Sequence, residues 1–203
     1  MINSSEDKAY WYFRLNGFFL IDNFVIHRSN NVKYSADADL IGIRTPYVFE
    51  EIGGHPEDWD IRLFRNFDPK SLIGVICQVK GGDIGKEQLF REPYLSYSID
   101  RIGFTKDRDI IITQLKNSPI ATFINDLGHL CQIALVLISR DRPPEDANYF
   151  CFSLDHIYNF ILERIEKYPK EKYSDRNFFN SIGFQTLIEH YELERRRKNK
   201  YNL

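Results

Sequence analysis

Two stretches of this chain set charged or amide side chains inside apolar, strand-like sequence. Asp37-Ala38-Asp39 runs directly into Leu40-Ile41-Gly42-Ile43, and the apolar run from Leu72 ends as Gln78-Val79-Lys80. Gln78 and Lys80 are two residues apart, so on a strand they project from one face. Burying such groups is costly unless they pair, bind a metal ion or line a cleft. Both segments carry their polar groups at strand ends, as residues of a shared site would. The plainer alternative is a pair of solvated strand ends joined by an Asp39–Lys80 salt bridge.

The elements that must position these residues can be read in chain order. Ser4 or Ser5 caps a first helix bearing Ala9, Tyr10, Tyr12 and Phe13, which stops at Asn16-Gly17. Residues 18–26 read as a first strand, 27–33 as a polar turn, and 37–44 as a second strand closed by Pro46. Alternation in that second strand sets Asp37, Asp39, Ile41 and Ile43 against Ala38 and Leu40. Residues 47–70, with Gly53-Gly54, Pro56 and Pro69, read as an insertion or long loop with a short helix. Residues 72–80 are nearly all apolar, the pattern of a central strand buried on both faces, and Gly81-Gly82 ends it.

Beyond this point the pattern reads as helix over 87–95, strand over 109–115 and helix over 120–131. A buried strand follows over 132–139, then a helix capped by Ser153 and stopped by Pro169. A last helix runs from about 174 into the basic tail Arg195-Arg196-Arg197-Lys198-Asn199-Lys200. The order suits one α/β domain spanning 1–203 with a helical C-terminal portion over about 153–200.

The 203 residues are 43% hydrophobic and 15% aromatic, enough for a substantial core, and the formal net charge is -2. That balance argues against a protein that merely coats nucleic acid; an enzyme with one basic groove remains compatible with it. Cys77, Cys131 and Cys151 are isolated in apolar runs and read as free thiols of a reducing compartment. The five histidines are scattered without metal-ligand spacing. The N-terminus lacks a signal-peptide layout and no run reaches membrane-span length, so the expected location is cytoplasmic, with no membrane partner.

With these residues in view, the chain resembles the PD-(D/E)xK, restriction-endonuclease-like nuclease superfamily. Asp37-Ala38-Asp39-Leu40-Ile41 is similar to the first half-motif of its resolvase-like members, and Ile76-Cys77-Gln78-Val79-Lys80 to the second. Gln78 stands where an acid is usual, as in Mrr-type enzymes, and Glu6 falls where a helical Glu often lies. The interval from Asp39 to Gln78 is long for the family. The resemblance spans roughly residues 6–82.

It implies a mixed central sheet flanked by helices and a metal-dependent endonuclease acting on DNA, in restriction or another defence setting. Asp39, Gln78, Lys80 and Glu6 would be the catalytic residues. Asp39, Gln78, the Val79 carbonyl and Asp37 would hold Mg²⁺ or Mn²⁺. Many members pair to cut two strands, which makes a homodimer an expectation of the resemblance. Two other readings stand beside it: a nuclease-fold module that binds nucleic acid or protein without cutting, and an unrelated α/β protein in which the motif is coincidental.

Overall fold

A computed structural model describes residues 4–26, 36–81, 89–140, 148–169 and 182–201. The chain begins with α1 (Ser4–Leu15), β1 (Phe19–Ile26) and β2 (Ala36–Arg44). A 3-10 turn (Pro56–Asp58) and the short α2 (Ile61–Phe64) precede β3 (Leu72–Lys80). Then come α3 (Tyr94–Ile102), α4 (Arg108–Leu115), β4 (Ile120–Ile124) and β5 (Leu130–Ser139). The chain closes with β6 (Phe150–Ser153), α5 (Leu154–Lys167) and α6 (Ile182–Tyr201).

β1, β2 and β3 form an antiparallel meander. β3 then pairs in parallel with β5, from Leu72 opposite Cys131 to Lys80 opposite Ser139. The far edge of β5 is shared between two strands. β4 lies antiparallel along its first half and β6 parallel along its second, ending with Ser153 opposite Ser139. Among the described residues the protein is therefore an α/β structure with a mixed six-stranded sheet flanked by helices. No helix among them is long and apolar enough to cross a membrane.

Each face of the sheet carries its own core. On one, Ile73, Val75, Cys77 and Val79 of β3 pack with Tyr12 and Phe13 of α1 and with Ile157, Ile161 and Ile165 of α5. On the other, Ile76 packs with Ile41, with Leu95, Ile99 and Ile102 of α3, and with α4. Gln78 and Lys80 share strand parity with Ile76 and so belong to the α3 face. Gly74 allows α3 to sit close: a Cβ there would lie 3.1 Å from Ile102 Cδ1. At the other end of α1, Gly17 reverses the chain at φ 82°, and a Cβ would meet Val48 Cγ1 at 2.8 Å.

Three expectations from the sequence need correction. Residues 108–115 are helix rather than strand: the β-branched run Ile110-Ile111-Ile112-Thr113 suggests a strand, but Ile111, Ile112 and Leu115 share a helical stripe that buries, leaving Ile110 exposed. Residues 120–131 form a hairpin rather than a helix. Asn125 Oδ1 accepts from the N–H groups of Leu127 and His129, and Gly128 adopts φ 81°, so Asn125 and Gly128 close a turn between β4 and β5. The helix expected over 87–95 begins only at Tyr94, after a turn at 89–90; 87 and 88 lie outside the described residues. The polar turn at 27–33, Gly82 and residues 174–181 also lie outside them.

Alternation in β2 departs from the simple pattern at Ala38, which joins the Ile41 cluster rather than that of Leu40. The β1–β2 register continues through this point, whereas the β2–β3 ladder ends at Leu40 opposite Cys77. β2 therefore leaves β3 just where Asp39 stands.

Candidate functional site

Where β2 separates from β3, the next inward N–H of β3 would lose its ladder partner. Asp39 replaces it: Val79 N–H donates to Asp39 Oδ2 at 2.7 Å. In a strand the N–H and C=O of one residue leave from the same edge, so the Val79 carbonyl faces the same gap. A carboxylate offers about four acceptor directions, and the bond from Val79 does not exhaust them. Asp39 thus locks the split and sets a carboxylate against the Val79 backbone.

Gln78 is 92% buried, being 8% exposed, and its Oε1 has no hydrogen-bond partner among the described residues. Two further buried oxygens without a partner among them, Tyr94 Oη and Ser98 Oγ, come from α3. With Ile102 against Gly74, eight residues of helix (about 12 Å) and four of strand (about 13 Å) bring Tyr94 level with Gln78. Electrostatics places it there independently. Burial first, then Cys77 and Asp39, push the Tyr94 phenol well above its ordinary value. Ser98 pulls the other way without either hydroxyl reaching hydrogen-bonding geometry. Burial and Asp39 likewise push the Cys77 thiol well up, so it is a buried neutral group rather than a nucleophile.

Lys80, half-buried, closes the C-terminal end of β3, and its carbonyl accepts from Arg140 N–H at 3.3 Å. Glu6 lies in the first turn of α1, on the sheet face opposite Gln78. That turn reaches the same end of the sheet: Asp22 pairs with Leu40, and its charge, after burial, raises the Asp7 carboxyl. Asp37 sits in β2 opposite Val25, but its side chain is outside the described set. The three strand residues singled out by their spacing therefore occupy one end of two adjacent strands. Glu6 approaches that end from the other side.

Sequence reading missed Tyr94 and Ser98. Their signal was available in principle: they fall on the buried stripe of α3 with Leu95, Ile99 and Ile102, two hydroxyls where apolar residues would serve packing better. It also missed a clasp between the 47–70 insertion and the helices. Tyr12 Oη donates to Asp60 Oδ2 at 2.7 Å, and His156 Nε2 approaches the same oxygen at 2.5 Å. Asp60 Oδ1 accepts from Arg62 N–H, while Arg62 Nη1 reaches His156 Nδ1 at 3.3 Å. The Nδ1 contact with a guanidinium assigns the ring proton to Nε2, which donates to Asp60. Nearby, Asp58 accepts from Lys167 and Tyr168 and faces Arg164 at 3.4 Å. Burial alone would raise the Asp58 carboxyl; these donors and cations outweigh it and hold it below the usual range.

Arg44 fastens the insertion from the β2 side. Its guanidinium lies 4.1 Å from the Trp59 ring centroid and 4.6 Å from that of Phe64, and its Nε donates to the Asn16 carbonyl. Burial lowers it to about 10, so it stays charged at neutral pH.

Among the described residues, no group of three or more His, Cys, Asp and Glu is arranged to hold a metal ion. The donors at the split are of another kind: one carboxylate, one amide oxygen and one backbone carbonyl. All are oxygens, the ligand type a hard divalent cation takes, and Mg²⁺ commonly uses only one or two carboxylates plus waters and substrate phosphate. The set fits such an ion and does not suit zinc. Comparison with family models, curated proteins and solved structures finds no match to this chain.

Proposed function

We propose that this protein is a metal-dependent endonuclease of the restriction-endonuclease-like type, hydrolysing phosphodiester bonds in DNA with Mg²⁺ or Mn²⁺. The observation that carries the reading is the buried Gln78 Oε1, without a partner among the described residues, next in the strand to the Asp39–Val79 lock. A buried acceptor left unsatisfied costs about 1–3 kcal/mol, so its retention asks for something that binds it. The mixed sheet and the motif residues at its split end agree with what the sequence resemblance implies.

When bound, a divalent ion would polarise a phosphate oxygen and lower the pKa of its water. Asp39, Gln78 Oε1 and the Val79 carbonyl are the groups to hold it, with Asp37 two residues upstream as a further candidate. Lys80 supplies a cation against charge developing on the phosphate and orients the attacking water. Tyr94 remains protonated across the working pH range and serves as a hydroxyl donor beside Gln78. Glu6, in the first turn of α1 on the other face of the sheet, would hold a water rather than the ion itself.

Plasmid cleavage with Mg²⁺ or Mn²⁺ tests the reading. Asp39→Asn keeps an acceptor for Val79 N–H while removing the charge, and Lys80→Ala removes the cation. Each is expected to lower cleavage by about 10²-fold or more. Cleavage retained in both would mean the activity belongs elsewhere. DNA binding with no cleavage by the parent protein would favour the non-cutting module. One observation leans that way: Gln78 replaces an acid, which leaves Asp39 with less negative charge around it.

A further inference from the structure

Beside β6 the structure holds a cleft of about 540 Å³ that plays no part in the split-strand site. Arg62, Arg65, Asn66, Ser153 and His156 line it, with Tyr149 among its aromatic walls, and none of its described lining residues carries a carboxylate. Arg62 and Arg65 are both exposed. Asp60, behind His156, is 5% exposed and takes its bonds from Tyr12, His156 and the Arg62 amide rather than from either guanidinium group. Arg62 is oriented by the His156 lone pair at 3.3 Å rather than by a counter-ion. Two forked cations with amide and hydroxyl donors between them form an anion receptor suited to phosphate.

The position of the cleft decides which phosphate. β3, β5 and β6 run parallel, and Lys80, Ser139 and Ser153 stand in one row at their carboxyl ends. Two inter-strand spacings, about 10 Å, separate the backbones of Lys80 and Ser153; Lys80 projects to the α3 face and the arginines come from the α1 and α5 face, so a bound strand passes over the carboxyl end of the sheet. Arg140, exposed and hydrogen-bonded through its N–H to the Lys80 carbonyl, lies on the way. Ligands of open α/β sheets gather outside the carboxyl ends of the strands, which is where this row lies.

We infer that the Arg62–Arg65 cleft binds the phosphate backbone of duplex DNA flanking the phosphodiester held at Lys80. The inference rests on the nuclease reading for the identity of the bound polymer, but binding and cleavage are separable. The experiment is fluorescence anisotropy with a labelled DNA duplex in EDTA, over a series of salt concentrations. Arg65→Gln, at an exposed position, should flatten the log–log salt dependence by about 0.9, and Arg62→Gln/Arg65→Gln by about 1.8, with affinity about tenfold weaker at moderate salt.

An unchanged slope in both arginine variants overturns the inference, as does failure of the parent protein to bind duplex DNA. A slope change in Arg65→Gln alone suffices to sustain it if the double variant does not fold. Arginine-dependent binding by a protein that never cleaves would uphold the cleft and refute the nuclease reading.

Discussion

The two polar regions of this molecule end their hydrogen-bond accounts with opposite remainders. In the clasp between the insertion and α5, both carboxylates are saturated: Asp60 by Tyr12, His156 and Arg62, Asp58 by Lys167, Tyr168 and Arg164. What is left over there is donors, Arg164 Nη2 and Trp59 Nε1. On the α3 side of the split between β2 and β3 the leftover atoms among the described residues are one amide oxygen, Gln78 Oε1, and two hydroxyls that can donate or accept, Tyr94 Oη and Ser98 Oγ. A surplus of donors around satisfied acids holds a structure together. A surplus of buried oxygens beside a carboxylate is what a hard cation needs. Acidic side chains alone would have pointed to the wrong region, because the clasp holds more of them.

Breaking the clasp should produce the largest change in stability. Asp58→Asn leaves Arg164, 4% exposed, without its counter-charge and is expected to cost about 3–5 kcal/mol in urea denaturation. Acid sharpens this. The folded-state pKa of Asp58 lies below its ordinary 3.8, so its contribution is complete above 3.8 and is lost as pH falls through the lower folded value. The gap between parent and variant should therefore narrow in that acid range, and a constant gap would remove the ion-pair explanation.

A matched pair of tyrosine substitutions contrasts the regions directly. Tyr12→Phe deletes a donor to Asp60 and should cost about 1–3 kcal/mol while leaving metal affinity unchanged. Tyr94→Phe deletes a buried hydroxyl with no partner among the described residues and should leave stability unchanged or raise it by up to about 1–3 kcal/mol. Equal losses in the two variants would mean the Tyr94 hydroxyl is satisfied in solution. Gln78→Glu restores a second carboxylate and should tighten Mn²⁺ binding by about tenfold in a calorimetric titration. Weaker binding would argue that the Gln78 side chain faces away from the ion.

The strands β1, β2 and β3, the buried β5 and the Ser153-capped α5 were legible because apolar periodicity and local capping encode them. That Asp39, Gln78 and Lys80 stand at one end of two adjacent strands was an expectation of the resemblance, because alternation fixes the face of a side chain and not which strands pair. The clasp was not: Tyr12 meets Asp60 across 48 positions and His156 meets it across 96, and no local pattern carries such pairings. α4 and β4 were misread because short segments rich in Ile and Thr satisfy both periodicities until a neighbour selects one. The long interval before Gln78, an anomaly in the sequence, is the clasp itself. It folds back onto α1 and α5 rather than interrupting the sheet.

Counting bound Mn²⁺ by electron paramagnetic resonance of the free ion, in the absence of DNA, tests the central claim most directly. The parent protein and Tyr12→Phe should each take up one ion with similar affinity, and Asp39→Asn should lose it while keeping the parent's thermal stability to within about 1 kcal/mol. Equal Mn²⁺ uptake by Asp39→Asn and the parent would contradict the assignment of the split strands as a cation site.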